Sequence, residues 1–424
     1  ARVFSEDIVQ EVSYLENIGL KFDRGGRGAF DLLQALGASR ARLVHYKALT
    51  GITAIELLKK EAVRSGAVFY QPIMFTGLLN DEGNIAGAVG FNTKTGKLLS
   101  CLAGSVVLAT GGCGALYPIS QYPGDIVGGG YSLAYHHGAA LVDMEFMQFD
   151  PCSFVYPGAL IGHPIPTTML MEGAELRNAR GEVFVRAFDE KGNRIHKDTL
   201  SRIISKEIAE GRGTPNDGVF YDVSMLPEER VKVDHSIFYE PALKAGVDLT
   251  REPAEVAPAA HTSIGGVKIN ERGETSLPGL YAAGEIAGGL HGANRMGGSA
   301  GAEVLVFGAL AGAHAAKYAL REKAPLSQKK AVALIARERE SYRRKMSRGK
   351  GSVVFAHALS VFHGVVKDNL SIIKNGGGIA KAIEKIKELE EMASQIAVGD
   401  VQQLAALYKF EYMLTSARIM AAAS

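Results

Sequence analysis

The sequence is poor in several features that mark large classes of proteins. It contains no tryptophan and only three cysteines, Cys101, Cys113 and Cys152, which show no CxxC spacing. Cysteines so few and so spaced predict neither a disulfide framework nor a metal site, and they favour a reducing, cytoplasmic compartment. A secreted, disulfide-stabilised domain is therefore not indicated.

Strong charge of one sign and long hydrophobic runs are also missing. The 47 lysines and arginines nearly balance the 45 aspartates and glutamates, and without a basic run nothing indicates nucleic-acid binding. No apolar run is long enough to span a membrane, and the longest apolar segment, residues 302–316, contains Glu303 and His314. We therefore predict a buried core helix there and no transmembrane segment.

Glycine, in contrast, is abundant, with 50 residues among 424. Such a content suits a cofactor-binding protein in which the backbone turns tightly or approaches a ligand closely. The chain is also too long for one simple core, so we expect two or three domains.

The most informative glycines lie in residues 279–308. Residues 280–283 are small or apolar and predict a buried strand, and a helix of small residues is predicted to begin near Ser299. The loop between them contains Gly298, where the missing Cβ lets a flat ligand approach the backbone. A helix start presents unpaired N–H groups and partial positive charge, and Glu285 offers acceptors suited to a polyol. This pattern predicts an anion or cofactor site.

Five motifs, in order along the chain, resemble the flavoprotein subunits of succinate dehydrogenases and fumarate reductases, a family that includes L-aspartate oxidases. They are VVLATGG at 106–112, EFMQFDP at 145–151, AHTSIGGV at 260–267, GLYAAGE at 279–285 and HGANRMGGSA at 291–300. The resemblance implies an α/β fold and an FAD cofactor. It predicts an FAD-binding, Rossmann-like domain at 1–151 and 257–322, an inserted α+β capping domain at 152–256 and a C-terminal helical domain at 323–424.

One family feature does not occur in the sequence, namely a GxGxxG loop between an opening strand and a helix. In the family this first βαβ unit grips the FAD pyrophosphate. We therefore expect the chain to be a fragment of a longer flavoprotein, with a separately encoded FAD-binding half as the alternative.

The coarse secondary structure follows from periodicity. Residues 1–66 are predicted to be mostly helical, and residues 67–109 form an antiparallel meander that leads into a buried strand. A helix is predicted over 197–210. The C-terminal domain is predicted to contain four helices, at 326–346, 352–373, 378–397 and 400–422.

The resemblance also implies roles for individual residues. The predicted cofactor contacts are Thr110, Gly111, Gly112, Glu285, Gly298, Ser299, Ala300 and Gly301. Arg295 is expected to bind a substrate carboxylate, because a planar guanidinium matches a carboxylate with two hydrogen bonds. The predicted substrate-binding residues are Asp150, Glu172, His261 and Arg295; His261 matches the family's substrate-binding histidine, and Glu172 lies in its Glu-Gly pair.

Other positions depart from the family pattern. Asp150 stands where the family has a substrate-binding histidine, Met171 where it has a threonine, and Lys197 where it has a proton-donating arginine. Lys197 remains a candidate acid/base, because desolvation could lower its pKa enough for proton transfer. Arg202, five residues along a helix, would point about 140° away, whereas Arg194 lies upstream in a predicted loop.

These residues predict an FAD-dependent oxidoreductase that exchanges a hydride with a small carboxylate, using Lys197, His261 and Arg295. The alternatives are an L-aspartate oxidase-like enzyme and a non-catalytic flavin-binding subunit. Because no cysteines are spaced as cluster ligands, an iron–sulfur centre would belong to a separate partner protein. Such partners would place the chain in the cytoplasm or at the cytoplasmic face of a membrane.

Overall fold

The structure is a computed structural model that describes residues 2–34, 38–47, 49–188, 195–321, 326–349, 351 and 353–424. Its helices are α1 (Arg2–Asn17), α2 (Thr50–Arg64), α3 (Gly129–His136), α4 (Thr168–Glu172), α5 (Lys197–Glu207), α6 (Ser236–Lys244), α7 (Ser299–Arg321), α8 (Gln328–Met346), α9 (Phe355–Asn369), α10 (Gly376–Ser394) and α11 (Val401–Ala423).

The strands in the described part of the chain are two to ten residues long. They are β1 (Leu32–Leu33), β2 (Leu43–Val44), β3 (Ile73–Asp81), β4 (Asn84–Asn92), β5 (Leu98–Leu102), β6 (Val106–Leu108), β7 (Leu141–Val142), β8 (Met147–Tyr156), β9 (Glu175–Arg177), β10 (Val219–Asp222), β11 (Ala254–Ser263), β12 (Gly266–Lys268), β13 (Leu280–Ala282) and β14 (Ala287–Gly288).

Parallel strand pairs mark the region that contains the glycine-rich motifs. β6 pairs in parallel with β13, and β12 pairs in parallel with β14 and antiparallel with β7. Parallel neighbours require crossover connections, and here the chain between β6 and β13 includes the whole capping region. The motif residues therefore come together at the ends of β6 and β13 although they are far apart in sequence.

The predicted meander is present as the antiparallel sheet β3-β4-β5. Its first turn uses Glu82 and Gly83, which have φ angles of 54° and 97°. A positive φ is accessible to glycine at little cost, which explains why the turn falls at the predicted Asn-Asp-Glu-Gly sequence.

The capping region has its own antiparallel sheet and hydrophobic core. The sheet order is β8-β11-β10-β9, and a separate cluster of buried side chains, including Phe154, Ile204 and Tyr221, packs beside it. β8 and β11 are ten residues long, so the predicted boundaries at 151/152 and 256/257 fall inside continuous strands. Asp150 consequently lies within β8, opposite Ala259 of β11, and both long strands reach the cofactor region.

The C-terminal part is helical, as predicted, with α8 to α11 close to the expected ranges; position 352 lies outside the described residues. α11 is the central helix, because most of its length is buried against α3, α8 and α10. Phe410 on α11 makes an edge-on contact with Phe362 on α9, with ring centroids 6.0 Å apart.

The N-terminal part is less helical than predicted. Between α1 and α2, residues 18–34 and 38–47 contain the small β1–β2 hairpin and one 3-10 turn. Gly25, Gly26 and Gly28 explain the difference, since glycine disfavours helix and one neighbour, Arg27, adopts a positive φ of 62°.

α7 is buried on one side only. Among the described residues it is the one helix that is long and apolar enough to cross a membrane, judged by length and composition alone. Its buried residues are Glu303, Val306, Phe307, Ala311 and Ala315. That spacing defines a single face, which packs against α1 and β13. This face of α7 is buried, as predicted for a core helix. The opposite side is not, since Leu320 there is 75% exposed.

Candidate active site

A cavity of about 760 Å³ lies where the capping region meets the glycine-rich loop. The strands β8 and β11 contribute Gln148, Asp150, His261 and Thr262, and Lys197 extends from the first residue of α5. The loop before α7 contributes residues 294–298, α7 itself contributes Ala300, and residues 164–168, His196, Asp198 and Phe238 also line the cavity. Its volume falls in the range of roughly 300–1,000 Å³ that is typical of small-molecule and cofactor sites.

One end of the cavity, here called the arginine end, consists of Gln148, Thr262, Asn294 and Arg295. Arg295 is only 8% exposed, and it donates hydrogen bonds to Thr262 Oγ1 and to the Met296 carbonyl, both at 3.3 Å. Its Nε atom is buried and has no partner among the described residues. Burial lowers the pKa of Arg295, yet a guanidinium keeps its charge in proteins. The arginine end thus holds a cation whose hydrogen-bonding capacity is only partly used.

Two buried contacts hold the loop that carries Arg295. Gln148 Nε2 donates to Asn294 Oδ1 and to the Arg295 carbonyl, both at 2.8 Å. At the start of the loop, His291 Nε2 lies 2.8 Å from Glu303 Oε2, and both side chains are nearly fully buried. Because Glu303 is on α7, this contact ties the loop to the helix and restricts the position of the guanidinium.

The opposite end, here called the ion-pair end, consists of Gln121, Asp150, Lys197 and His261. Lys197 Nζ lies 2.5 Å from Asp150 Oδ1, and Gln121 Nε2 donates to Asp150 Oδ2 at 2.9 Å. Asp150 is 5% exposed, so Lys197 balances its buried charge, and Gln121 supplies a hydrogen bond to its other oxygen. The charges of Asp150 and Lys197 therefore balance at the ion-pair end, whereas the charge of Arg295 has no carboxylate partner at the arginine end.

The His261 ring is neutral, and its hydrogen bonds indicate which ring nitrogen carries the proton. Its pKa is lowered to about 4, chiefly because burial disfavours the charged ring; Lys197 and Arg295 lower it further and Asp150 opposes them. Nδ1 lies 2.6 Å from Gln121 Oε1, which can only accept, so Nδ1 carries the proton. Nε2 is then a hydrogen-bond acceptor.

Three residues considered from the sequence lie elsewhere. Glu172 is not part of the cavity lining; both of its oxygens accept hydrogen bonds from Arg230, at 2.8 and 3.0 Å. These bonds lower the pKa of Glu172, and the expected substrate contact is replaced by this ion pair. Met171 is 46% exposed, also outside the lining. Arg202 pairs with Asp198 at 2.8 Å and is more than half exposed, in keeping with its predicted direction; Arg194 lies outside the described residues.

The predicted cofactor contacts fall into two groups. Gly298 and Ala300 line the cavity, and Ser299 and Gly301 lie in the first turn of α7. Thr110, Gly111 and Gly112 follow β6 outside the lining, close to Glu285: a Cβ on Gly112 would lie 2.5 Å from Glu285 Oε1. Gly298 has a φ of 84° and packs on Leu43, so a side chain there would be strained and would clash.

Glu285 is held at the strand end by two donors. The Tyr122 hydroxyl and the Ser263 backbone N–H both donate to Oε1, the latter at 2.7 Å. Burial raises the pKa of Glu285 despite these bonds. Its Oε2 accepts no hydrogen bond from the described residues, which leaves an acceptor for a ligand hydroxyl.

These residues fit a flavin nucleotide. The cavity has sufficient volume, Arg295 with its unpartnered Nε is one of the lining residues, and glycines allow close approach at the start of α7. The helix start supplies N–H groups and partial positive charge suited to the electron-rich edge of a flavin. No group of three or more metal-ligating side chains occurs among the described residues, and the three cysteines are free thiols.

A second cavity, of about 830 Å³, lies between the β3–β5 sheet and the C-terminal helices. None of the predicted site residues lines it. The one lysine among its described lining residues, Lys345, is already paired with Glu411 and packs over the ring of Tyr408.

Fold and site together are those of a flavin-dependent oxidoreductase. A family model described as an FAD-binding domain matches residues 1–300. The chain is 34% identical over 423 residues to a subunit of the fumarate reductase (CoM/CoB) of Methanothermobacter marburgensis, covering 99% of this chain and 76% of the relative. It is 34% identical over 306 residues to the L-aspartate oxidase of Nostoc sp., covering 70% of this chain and 52% of that protein.

Among solved structures, FrdA of the E. coli quinol fumarate reductase superposes with a TM-score of 0.91 at 26% identity, covering 99% of this chain and 75% of that one. The chain therefore belongs to the family of fumarate reductase and succinate dehydrogenase flavoprotein subunits, and it is an FAD-dependent oxidoreductase. The predicted fold class, cofactor and enzyme type are confirmed.

Some residues of the site were missed in the sequence. Gln121 follows the Ala-Thr-Gly-Gly strand end by nine residues, in a loop with no periodic signal. Gln148 lies inside the EFMQFDP motif, two residues before Asp150. Nothing local distinguishes either glutamine, because its partners lie 29 to 147 residues away.

Proposed function

We propose that the protein transfers a hydride between FAD and a carboxylate-bearing substrate bound in the cavity of about 760 Å³. The observation that carries the proposal is Arg295, a buried cation at the cavity whose Nε has no partner among the described residues. Leaving a buried donor unsatisfied costs about 1–3 kcal/mol, so a carboxylate that accepts from it recovers stability.

The cofactor when bound supplies the two-electron hydride chemistry. We assign its contacts to the start of α7, namely Gly298, Ser299, Ala300 and Gly301, and to Thr110, Gly111, Gly112 and Glu285. The N–H groups of the first turn of α7 would stabilise negative charge on the bound group by about 0.3–1 kcal/mol, which favours electron uptake.

Within the cavity, Arg295 binds and orients the carboxylate of the substrate with two parallel hydrogen bonds. Lys197 is the proton donor, since its ammonium lies at the cavity and Asp150 fixes its position. His261 takes part as a neutral ring that accepts a hydrogen bond through Nε2. Glu172 has no part in this site.

We further propose that electrons reach or leave the flavin through a partner protein that carries an iron–sulfur centre. Two proteins support this: FrdA, which comes from a quinol fumarate reductase, and the Methanothermobacter relative, which is named as one subunit of its reductase. Such an assembly would hold the chain at the cytoplasmic side of a membrane.

The test uses the full-length, FAD-loaded protein and a panel of enoates and saturated carboxylates. We expect at least one enoate to reoxidise the reduced flavin anaerobically and the Arg295→Ala variant to be strongly impaired. Arg251→Ala is the matched control, because Arg251 is 82% exposed and pairs with Asp248 on the surface. If no compound reacts faster than with Arg295→Ala, the protein is a non-catalytic flavin-binding subunit instead.

An amino-acid oxidase is the second candidate, favoured by the 34% identity to an L-aspartate oxidase. Arg295 would bind the α-carboxylate in the same way. Peroxide release in the presence of aspartate and oxygen, without reaction with enoates, would select this function.

A further inference from the structure

We propose that the substrate carries a single carboxylate and that its other end is uncharged. This rests on the proposed function, because it assumes that the substrate occupies the cavity with its carboxylate on Arg295. It narrows that function from carboxylates in general to monocarboxylates, such as 2-enoic acids and their saturated counterparts.

The charges around the cavity support a single anionic group. Apart from two histidines, the described lining residues include the cations Lys197 and Arg295 and the carboxylates Asp150 and Asp198. Lys197 is paired with Asp150, and Asp198 is paired with Arg202. Arg295 is therefore the one lining cation, within the part of the chain that the structure describes, that has no carboxylate partner.

The remaining polar groups of the lining do not supply a second permanent cation; among them are Thr167, Thr168 and His196. His261 presents an acceptor at Nε2, because its Nδ1 proton is used by Gln121. Gln121 in turn donates to Asp150 and Ser153, both at 2.9 Å. A second carboxylate here would meet an acceptor and a compensated ion pair, whereas a neutral carbonyl or hydroxyl would be tolerated.

A second carboxylate at this end would have to share the Lys197 ammonium with Asp150. One lysine would then balance two neighbouring anions, one of which, Asp150, is only 5% exposed. Placing a further anion beside a buried carboxylate is unfavourable. The Lys197–Asp150 pair thus disfavours a substrate that carries a second carboxylate.

Lys197 can still serve the reaction in this arrangement. Reduction of a 2-enoate takes up one hydride and one proton, and the carbon–carbon double bond becomes a single bond. The proton comes from the Lys197 ammonium, whose side chain is 32% exposed and can recover a proton from solvent. The two electrons come from the reductant that feeds the flavin in the proposed function.

The experiment compares fumarate with monomethyl fumarate, two ligands of similar shape that differ by one charge. Calorimetric titration of the full-length, FAD-loaded protein measures both dissociation constants. We expect monomethyl fumarate to bind at least tenfold more tightly. Asp150→Asn frees Lys197, so the ratio should move at least tenfold towards fumarate.

Asp217→Asn is the matched control, since Asp217 also pairs with a lysine, Lys367 at 2.8 Å, but is 61% exposed and lies away from the cavity. It should leave the ratio unchanged. Lys197→Met is a second variant, in case Asp150→Asn does not fold; it should weaken fumarate more than monomethyl fumarate.

Preferential binding of fumarate by the unaltered protein, or an unchanged ratio in both Asp150→Asn and Lys197→Met, would overturn the inference. In either case Arg295→Ala must still weaken both ligands if the proposed function holds. Equal affinities of Arg295→Ala and the unaltered protein would instead refute the proposed function itself.

Discussion

The arginine end and the ion-pair end of the cavity differ in how their buried charges are satisfied. At the arginine end, Arg295 has a buried Nε without a partner in the described structure, and its other bonds are long, at 3.3 Å. At the ion-pair end, Asp150 has a short contact to Lys197 and a second donor in Gln121. A cation with unused hydrogen-bond donors can bind an anionic ligand. An ion pair whose charges balance can hold a proton donor in place, and it disfavours a further negative charge nearby.

The largest effect should follow from Arg295→Ala, which removes the ligand-binding cation. A charge-assisted hydrogen bond contributes about 1.5–3 kcal/mol, so losing two should reduce kcat/KM on the order of 1,000-fold. Steady-state kinetics with the best enoate will measure this. A loss below tenfold, or an equal loss in the exposed control Arg251→Ala, would mean that the two ends do not differ as described.

Lys197→Met should have the next largest effect. General acid catalysis contributes about 100-fold or more, and we expect kcat to fall by this factor while monocarboxylate binding changes little. Lys206→Met, on the same helix but with a side chain 54% exposed, is the control. If KM rather than kcat changes, Lys197 binds the substrate, and the assignment of proton donation to the ion-pair end is wrong.

Several of these contacts could not be read from the sequence. The motifs correctly indicate FAD, the strand β13 and the start of α7, because glycine and small residues constrain the backbone locally. Glu172 illustrates the limit: its partner Arg230 is 58 residues away, so only the folded capping region reveals that it is already paired. The Lys197–Asp150 contact spans 47 residues and could likewise not be inferred from spacing.

The length of the strand that contains Asp150 was also not predictable from the sequence. The predicted boundary at 151/152 ends the first domain one residue after Asp150, whereas β8 continues to Tyr156 and pairs along most of β11. Local composition could not reveal this continuity, because a proline such as Pro151 is disfavoured inside a sheet. The pairing partner, more than 100 residues away, keeps the strand extended.

A smaller effect is expected from Glu303→Gln, which weakens the tie between the loop and α7. Glu303 is 3% exposed and contacts His291, so its loss should let the guanidinium of Arg295 move. We expect carboxylate binding to weaken about tenfold, equivalent to ~1.4 kcal/mol, with kcat nearly unchanged. Calorimetry will measure the binding, and the exposed Glu340→Gln on α8 is the control. Unaltered affinity would show that the loop is held by Gln148 alone.

A different kind of effect concerns the pH dependence of stability at the ion-pair end. Because the pKa of His261 is about 4 in the fold and about 6.5 when unfolded, the unfolded chain binds more protons between these values. Stability should therefore fall as pH decreases from 6.5 towards 4, by at most about 1.4 kcal/mol per pH unit. Denaturant unfolding at several pH values will measure the slope, which His261→Gln should reduce. An identical slope in that variant would contradict a buried neutral ring.

The central claim is that Arg295 holds the carboxylate of the molecule that exchanges a hydride in this cavity. Its most direct test is anaerobic rapid mixing of the reduced, full-length protein with increasing concentrations of monomethyl fumarate. The account predicts that flavin reoxidation saturates with concentration and that the half-saturating concentration rises at least 100-fold in Arg295→Ala. The same saturation curve in the variant and the unaltered protein would contradict it.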